Sequence, residues 1–292
     1  MTDRTTPSPL MQSMAFSTPF GEIHARNWQP VPAGEPLGGG GDAAGKQVQK
    51  GRAGDGGYPC VVLLHGMFGD VDVWSATALN LARAGLEVLA FDLPGHGRSL
   101  AEVENADETV QALLAALQAY AEARAQHPVP VLLVGHSFGG LFALHTLFTQ
   151  PQSFSHYYIS SPSIWWGGQR VLDDEKDLAQ RLAALPAAPQ VRLTVGELEE
   201  PAATAPTAAP AAETADPQTA ERTRRQQSRR MVSSVRELSQ RLARQRGLHV
   251  QTHIYPGRTH GSVILPALDD NLRQFWRDLQ TSEPAPEKAP RP

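Results

Sequence analysis

The sequence predicts a doubly wound α/β domain, a mainly parallel sheet with helices on both faces. Three observations carry this. Six short, near-continuous apolar runs recur along the chain, helical stripes fill the gaps between them, and a glycine-flanked serine stands where one run gives way to a helix. Runs that are apolar at every position belong to strands covered on both faces, which is the signature of a parallel sheet. Strand–helix alternation supplies the two covering layers.

Taken in order, "MAFSTPFGEIHARNW" (14–28) reads as an antiparallel hairpin on the first edge of the sheet. The apolar runs are "CVVLLHG" (60–66), "LEVLAFDLPG" (86–95), "VPVLLVGHS" (129–137), "HYYISSPS" (156–163), "VRLTVGE" (191–197) and "LHVQTHIYPG" (248–257). Between them, Val110, Leu113, Leu114, Leu117 and Tyr120 form one apolar helical stripe, and Met231, Val235, Leu238 and Leu242 another. A final helix turns Val263, Ile264, Leu268 and Phe275 inward.

These elements predict one domain over 14–281 in the 292-residue chain, preceded by a disordered stretch 1–13 and followed by a disordered tail 282–292. Residues 29–58, rich in Gly and Pro, and 201–219, rich in Ala, Pro and Thr, read as mobile loop insertions. Neither has enough large apolar side chains to offset the entropy of ordering. A net charge of −4 gives no overall basic character, and no nucleic-acid partner is expected. The single cysteine, Cys60, rules out an internal disulfide framework and reads as a buried, inert thiol. The first twenty residues lack the basic head and apolar core of a secretory signal, and no apolar run approaches the roughly 18 residues of a membrane span. A cytoplasmic protein without membrane contact is therefore expected.

Gly135-His136-Ser137-Phe138-Gly139 fits G-x-S-x-G between the strand "VPVLLV" and the helix "FGGLFALHTLF". This strand–turn–helix context makes Ser137 a candidate nucleophile. Any Cβ at 135 or 139 would collide with a neighbouring element, while the helix N-terminus aims free N–H groups at the serine. A nucleophilic serine needs a base, an orienting acid and oxyanion donors, and around such an elbow the chain order is serine, acid, histidine. "LTVGELEE" puts Glu199 on the loop after a strand, with Glu197 and Glu200 as rivals. "IYPGRTHGSVILPAL" puts His260 on the loop after the last strand. The expected oxyanion donors are the backbone N–H groups of Phe138 and Met67, with Phe68 second to Met67. His65 and His136 read as structural. No metal-ligand spacing and no cofactor-binding motif is present, so none is expected.

"LLHGMFGD", "FDLPGHGRS" and "GHSFGG" together resemble the α/β-hydrolase superfamily over roughly 60–280. "GHSFGGLFALHTLF", "SPSIWW", "VGELEE" and "YPGRTHGS" are more particularly similar to the esterase family that includes the siderophore trilactone (ferric enterobactin-type) esterases. "FDLPGHGRS" instead looks like the general lipase, peroxidase and small-ester branch. The resemblance implies a serine esterase with Ser137, Glu199 and His260 as its triad and a small-molecule ester as its substrate. Residues 167–190 are too few for a large helical cap, so an open site is expected. Phe68, Trp165 and Trp166 are candidate substrate-binding residues. The arginine-rich stretch 221–246 reads as a solvated face or as a rim attracting an anion. Two alternatives stand beside the bulky-ester reading: a carboxylesterase or thioesterase of small acyl esters, and a ligand-binding protein on the same fold without turnover.

Overall fold

A computed structural model describes residues 9–30, 58–123, 131–201 and 217–282. Its eight strands are β1 (Leu10–Thr18), β2 (Gly21–Gln29), β3 (Cys60–Leu64), β4 (Glu87–Phe91), β5 (Val131–His136), β6 (His156–Ser160), β7 (Gln190–Gly196) and β8 (His249–Tyr255). The helices are α1 (Ser75–Arg83), α2 (Ala106–Ala123), α3 (Phe138–Thr149), α4 (Leu178–Ala183), α5 (Pro217–Arg229), α6 (Met231–Leu242) and α7 (Ile264–Ser282). The strands form one sheet in the order β1-β2-β4-β3-β5-β6-β7-β8. β1 and β2 pair antiparallel, as do β2 and β4, and every later pairing is parallel.

The apolar runs have a clear physical reason. In β3, Cys60, Val62 and Leu64 enter one core, while Val61 and Leu63 enter the core on the opposite face. The first core is closed by residues of α2, α3, α4 and α6, including Leu113, Leu144, Leu182 and Leu238. The second is closed by Trp74, Ala78, Leu81, Leu268 and Phe275 from α1, α7 and the turn before α1. A strand between two helical layers has no polar face to offer. Cys60 is buried, as expected.

Three expectations need correction. The first strand begins at Leu10, inside the stretch 1–13 expected to be disordered. The backbone of β1 pairs with β2 over nine residue pairs, from Leu10↔Gln29 to Thr18↔Gly21, and this pairing does not depend on apolar composition. α5 begins at Pro217, inside the expected loop 201–219, with a proline at its first position where the missing N–H costs nothing. β8 is not covered on both faces. It closes one edge of the sheet, and His249, Gln251, Thr252 and His253 are exposed. The rest of both insertions (31–57 and 202–216), residues 1–8 and the tail beyond Ser282 lie outside the described residues. The arginine-rich stretch folds as α5 and α6, divided at Arg230 with φ 48°. Among the described residues, no helix is long and apolar enough to cross a membrane.

The connections reverse direction between β3 and β5: β4 lies on one side of β3 and β5 on the other. At such a point the loops leaving the carboxyl ends of the strands diverge and open a crevice. The loops after β3 and β5 flank it, and the loops after β6, β7 and β8 extend it.

Candidate active site

Ser137 sits between β5 and α3 with φ 59° and ψ −112°, a conformation that L-residues seldom adopt. The two glycines of the motif make this turn possible. A Cβ on Gly135 would overlap the carbonyl of Gly139, and a Cβ on Gly139 would lie 2.5 Å from the Leu64 carbonyl oxygen and 2.7 Å from that of His65. The elbow is tied down on both sides. Ser137 N–H donates to Ser160 O at 3.1 Å, and its own carbonyl accepts from Leu141 N–H at 2.9 Å and Ser163 N–H at 3.1 Å.

The loop after β3 turns sharply, with Gly69 N–H donating to Gly66 O at 3.1 Å. Phe68, at the third position of that turn, has φ 64° and a side chain 93 % exposed. His65 anchors the loop from below. Its Nδ1–H donates to Gly66 O at 2.7 Å, and its Nε2 accepts from Leu93 N–H at 3.1 Å. This pattern requires a neutral ring, and burial holds its pKa below the ordinary histidine value. Its role is structural, as the sequence suggested.

The three glutamates after β7 go to three destinations. Glu197–Glu199 forms a single 3₁₀ turn. Glu197 accepts from Gly257 N–H at 2.9 Å and fastens the loop after β8. Glu200 accepts from Ser233 N–H at 2.7 Å and Ser233 Oγ–H at 2.6 Å, in the first turn of α6. Glu199 is buried, and its Oε2 accepts from His260 Nδ1–H at 2.6 Å. Its other oxygen, Oε1, accepts from Gly196 N–H at 2.7 Å and Ser161 Oγ–H at 2.6 Å. The two loops touch closely enough that a Cβ on Gly196 would overlap the Arg258 carbonyl.

His260 is thus held by one nitrogen, while its side chain remains 46 % exposed. Its ring packs on that of His136, with centroids 4.6 Å apart. Burial, together with His260 nearby, pushes the His136 pKa down to about 3, so this ring is a neutral shelf. In this conformation Ser137 Oγ is hydrogen-bonded to Ser163 Oγ at 3.3 Å rather than to the His260 imidazole. Hydrogen bonds at such centres commonly tighten only once substrate is bound.

Met67, Phe68, Ser137, Phe138, Glu199 and His260 line one cleft of ≈630 Å³ together with Trp165 and Trp166. The tryptophans are on its rim: Trp166 meets Phe138 edge-on at 4.8 Å and Trp165 at 5.7 Å. Arg229, at the end of α5, lies over the Trp165 ring at 4.7 Å. α5 therefore borders the site, and a second hollow of ≈520 Å³ between this helix and His260 is lined by Arg225 and Arg229. Sequence reasoning singled out the stretch "SPSIWW" but gave no role to Ser161 or Ser163 within it, and none to Leu198.

This elbow at the switch point of a mainly parallel sheet defines an α/β-hydrolase. The family model described as serine aminopeptidase, S33, matches residues 58–260, and the chain belongs to that family. Among curated proteins it is similar to the siderophore enterobactin esterase of Emericella nidulans, 38 % identical over 144 residues that make up 48 % of this chain and 45 % of that protein. It is also similar to the siderophore triacetylfusarinine C esterase of Aspergillus fumigatus, 61 % identical over 44 residues, 15 % of each chain. The chain thus spans less than half the length of these curated relatives. Among solved structures, siderophore hydrolase EstA from Aspergillus nidulans matches with a TM-score of 0.65 at 24 % identity, covering 92 % of this chain and 94 % of that one. The BES protein from Bacillus cereus matches with a TM-score of 0.62 at 22 % identity, over 94 % and 97 %. At these identities the two structures share the fold.

Proposed function

We propose that this protein is a serine esterase that cleaves carboxylic esters through Ser137, His260 and Glu199. The observation that carries the reading is the 2.6 Å bond from His260 Nδ1–H to the buried Glu199 carboxylate, made in the cleft that also holds the strained Ser137. Glu199 fixes the tautomer that leaves Nε2 free to accept a proton. Ser137 Oγ attacks the ester carbonyl carbon while His260 Nε2 takes the hydroxyl proton. The N–H groups of Met67 and Phe138 receive the negative charge that develops on the carbonyl oxygen. Collapse expels the alcohol, protonated by His260, and leaves an acyl-serine. Water, deprotonated by the same imidazole, releases the acid and restores the hydroxyl.

The substrate we propose is a bulky, aromatic or siderophore-type ester. The curated relatives are named for siderophore esters, and the rim of the cleft offers Phe138, Trp165 and Trp166 as flat surfaces. Aromatic stacking of this kind contributes about 0.5–1.5 kcal/mol per pair beyond simple burial. The test is turnover by purified protein of p-nitrophenyl esters of increasing chain length, acyl thioesters and iron-loaded trilactones, with Ser137→Ala alongside. Loss of 10⁴-fold or more in kcat is expected for the alanine variant, the order seen when a triad nucleophile is removed. Near-normal turnover by folded Ser137→Ala would overturn the mechanism. Faster cleavage of palmitoyl esters or thioesters than of aromatic and trilactone esters would overturn the substrate reading alone.

A further inference from the structure

Ser161 is fully buried and has φ 45°. It also precedes Pro162, a position where the chain normally prefers extended backbone. Glycine or asparagine would occupy such a conformation with less strain. A buried serine held in it invites a reason, because backbone strain persists only where surrounding contacts impose it. The backbone is held by Ser161 N–H donating to Thr194 O at 2.7 Å. The side chain makes a 2.6 Å hydrogen bond to Glu199 Oε1.

Glu199 is at the end of a long reach. Its carboxylate is buried and has one oxygen committed to His260, so the other decides how the group is rotated. Gly196 N–H supplies one donor to Oε1 from the same loop, a contact that leaves the carboxylate free to swing about that hydrogen bond. The Ser161 hydroxyl supplies a second donor from a different strand end. Two donors from two directions fix the carboxylate plane and so aim Oε2 at the imidazole.

We infer that Ser161 is a positioning residue for the triad, its left-handed backbone retained because that conformation turns Oγ toward Glu199. The inference rests on the esterase reading above. Ser161 is buried behind the cleft and is not among the residues that line it, so it acts through Glu199 on His260. Its loss should therefore slow chemistry and leave binding alone.

Two variants separate the hydroxyl from the backbone. Ser161→Ala removes the hydroxyl and keeps a Cβ in the strained conformation; Ser161→Gly removes both the hydroxyl and the strain. Both should lower kcat for p-nitrophenyl butyrate by similar factors, about tenfold to a hundredfold, the range for one hydrogen bond to a charged group. KM should stay within about twofold, an expectation that follows from the absence of substrate contact. Ser161→Gly should melt at or above the temperature of Ser161→Ala. In proton NMR, the low-field signal of the His260 Nδ1–H should shift in both variants. Wild-type kcat in a folded Ser161→Gly protein would overturn the inference, and so would a kcat that follows melting temperature across the pair. Ser137→Ala, run in parallel, distinguishes the two failures: if it is inactive while the Ser161 variants are normal, the esterase reading stands and the positioning role falls.

Discussion

Replacing Glu199 by Gln keeps the shape of the side chain and changes what it can bond. The carboxylate accepts three hydrogen bonds, from His260 Nδ1–H, Gly196 N–H and Ser161 Oγ–H. An amide has one accepting oxygen and one donating nitrogen. Pointing the oxygen at Gly196 and Ser161 preserves two of the three bonds. Pointing it at His260 keeps that bond and lets the Ser161 hydroxyl turn to accept, but sets the N–H₂ group against the Gly196 N–H donor. The first arrangement wins, because a buried donor facing another donor costs about 1–3 kcal/mol. It brings the amide N–H₂ up to His260 Nδ1, which must then accept, so the proton moves to Nε2. An imidazole protonated at Nε2 cannot take the serine proton. The expected loss in kcat is on the order of 10⁴, as for the corresponding acid-to-amide change in a serine protease triad, or about 5 kcal/mol of transition-state stabilisation. Glu200→Gln is the control. It weakens a charged contact at the start of α6 by about 0.3–1 kcal/mol and should leave turnover intact. Initial rates on p-nitrophenyl butyrate, with melting temperatures measured on the same samples, decide the matter. The reasoning is refuted if Glu200→Gln is the crippled variant, or if Glu199→Gln stays within tenfold of the parent.

Stability should fall on acidification. Burial lowers the pKa values of His65, His136 and His156, that of His136 to about 3. The unfolded chain therefore takes up protons at these sites below about pH 6.5 while the folded one resists. The stability they contribute is present above that pH and is lost as it drops, by up to about 1.4 kcal/mol per pH unit for each such group. Melting temperature followed from pH 7 to pH 4.5 should decline across this window, and a flat profile would contradict the burial argument. At the rim, Trp165→Ala should reduce kcat/KM for an aromatic-acyl ester several-fold more than for p-nitrophenyl acetate. It removes a stacking surface and also the ring beneath Arg229. Raising salt from 0.05 to 0.5 M should weaken turnover of an anionic ferric trilactone but not of the acetate, because exposed charges are screened over roughly 10 Å at 0.1 M; equal salt response for both esters removes any role for Arg225 and Arg229 in attraction.

The sheet was legible because a strand between two helical layers is buried along most of its length, and β3 to β7 are near-continuously apolar, broken only by a few polar residues such as Glu87, His156, Arg192 and Thr194. The edges were less so. β1 is specified by backbone pairing with β2, which leaves little trace in composition. β8 carries an alternation, His249-Val250-Gln251, that marks an edge but is easily lost among the other apolar residues. At the site, Ser137 and His260 could be read from the glycines and loops around them. Three nearby glutamates could not be separated by spacing alone. The 3₁₀ turn Glu197–Glu199 advances about 120° per residue and sends neighbouring side chains in different directions, so one residue of register changes the partner completely. The stretch "SPSIWW" stood out, but the role of Ser161 within it was hidden for a related reason: it rests on a backbone angle, which a serine before a proline does not announce.

The order of the strands also bears on how activity is acquired. Ser137 follows β5, Glu199 follows β7 and His260 follows β8, and β8 docks only at the rim of the sheet, against β7. These contacts join residues far apart in sequence, and such contacts form late because long loops must close first. A refolding chain can therefore recover helicity and a largely buried core while still unable to turn over an ester. Catalysis should return only when the β7–β8 edge has closed, which makes the rate of ester cleavage a reporter of that edge.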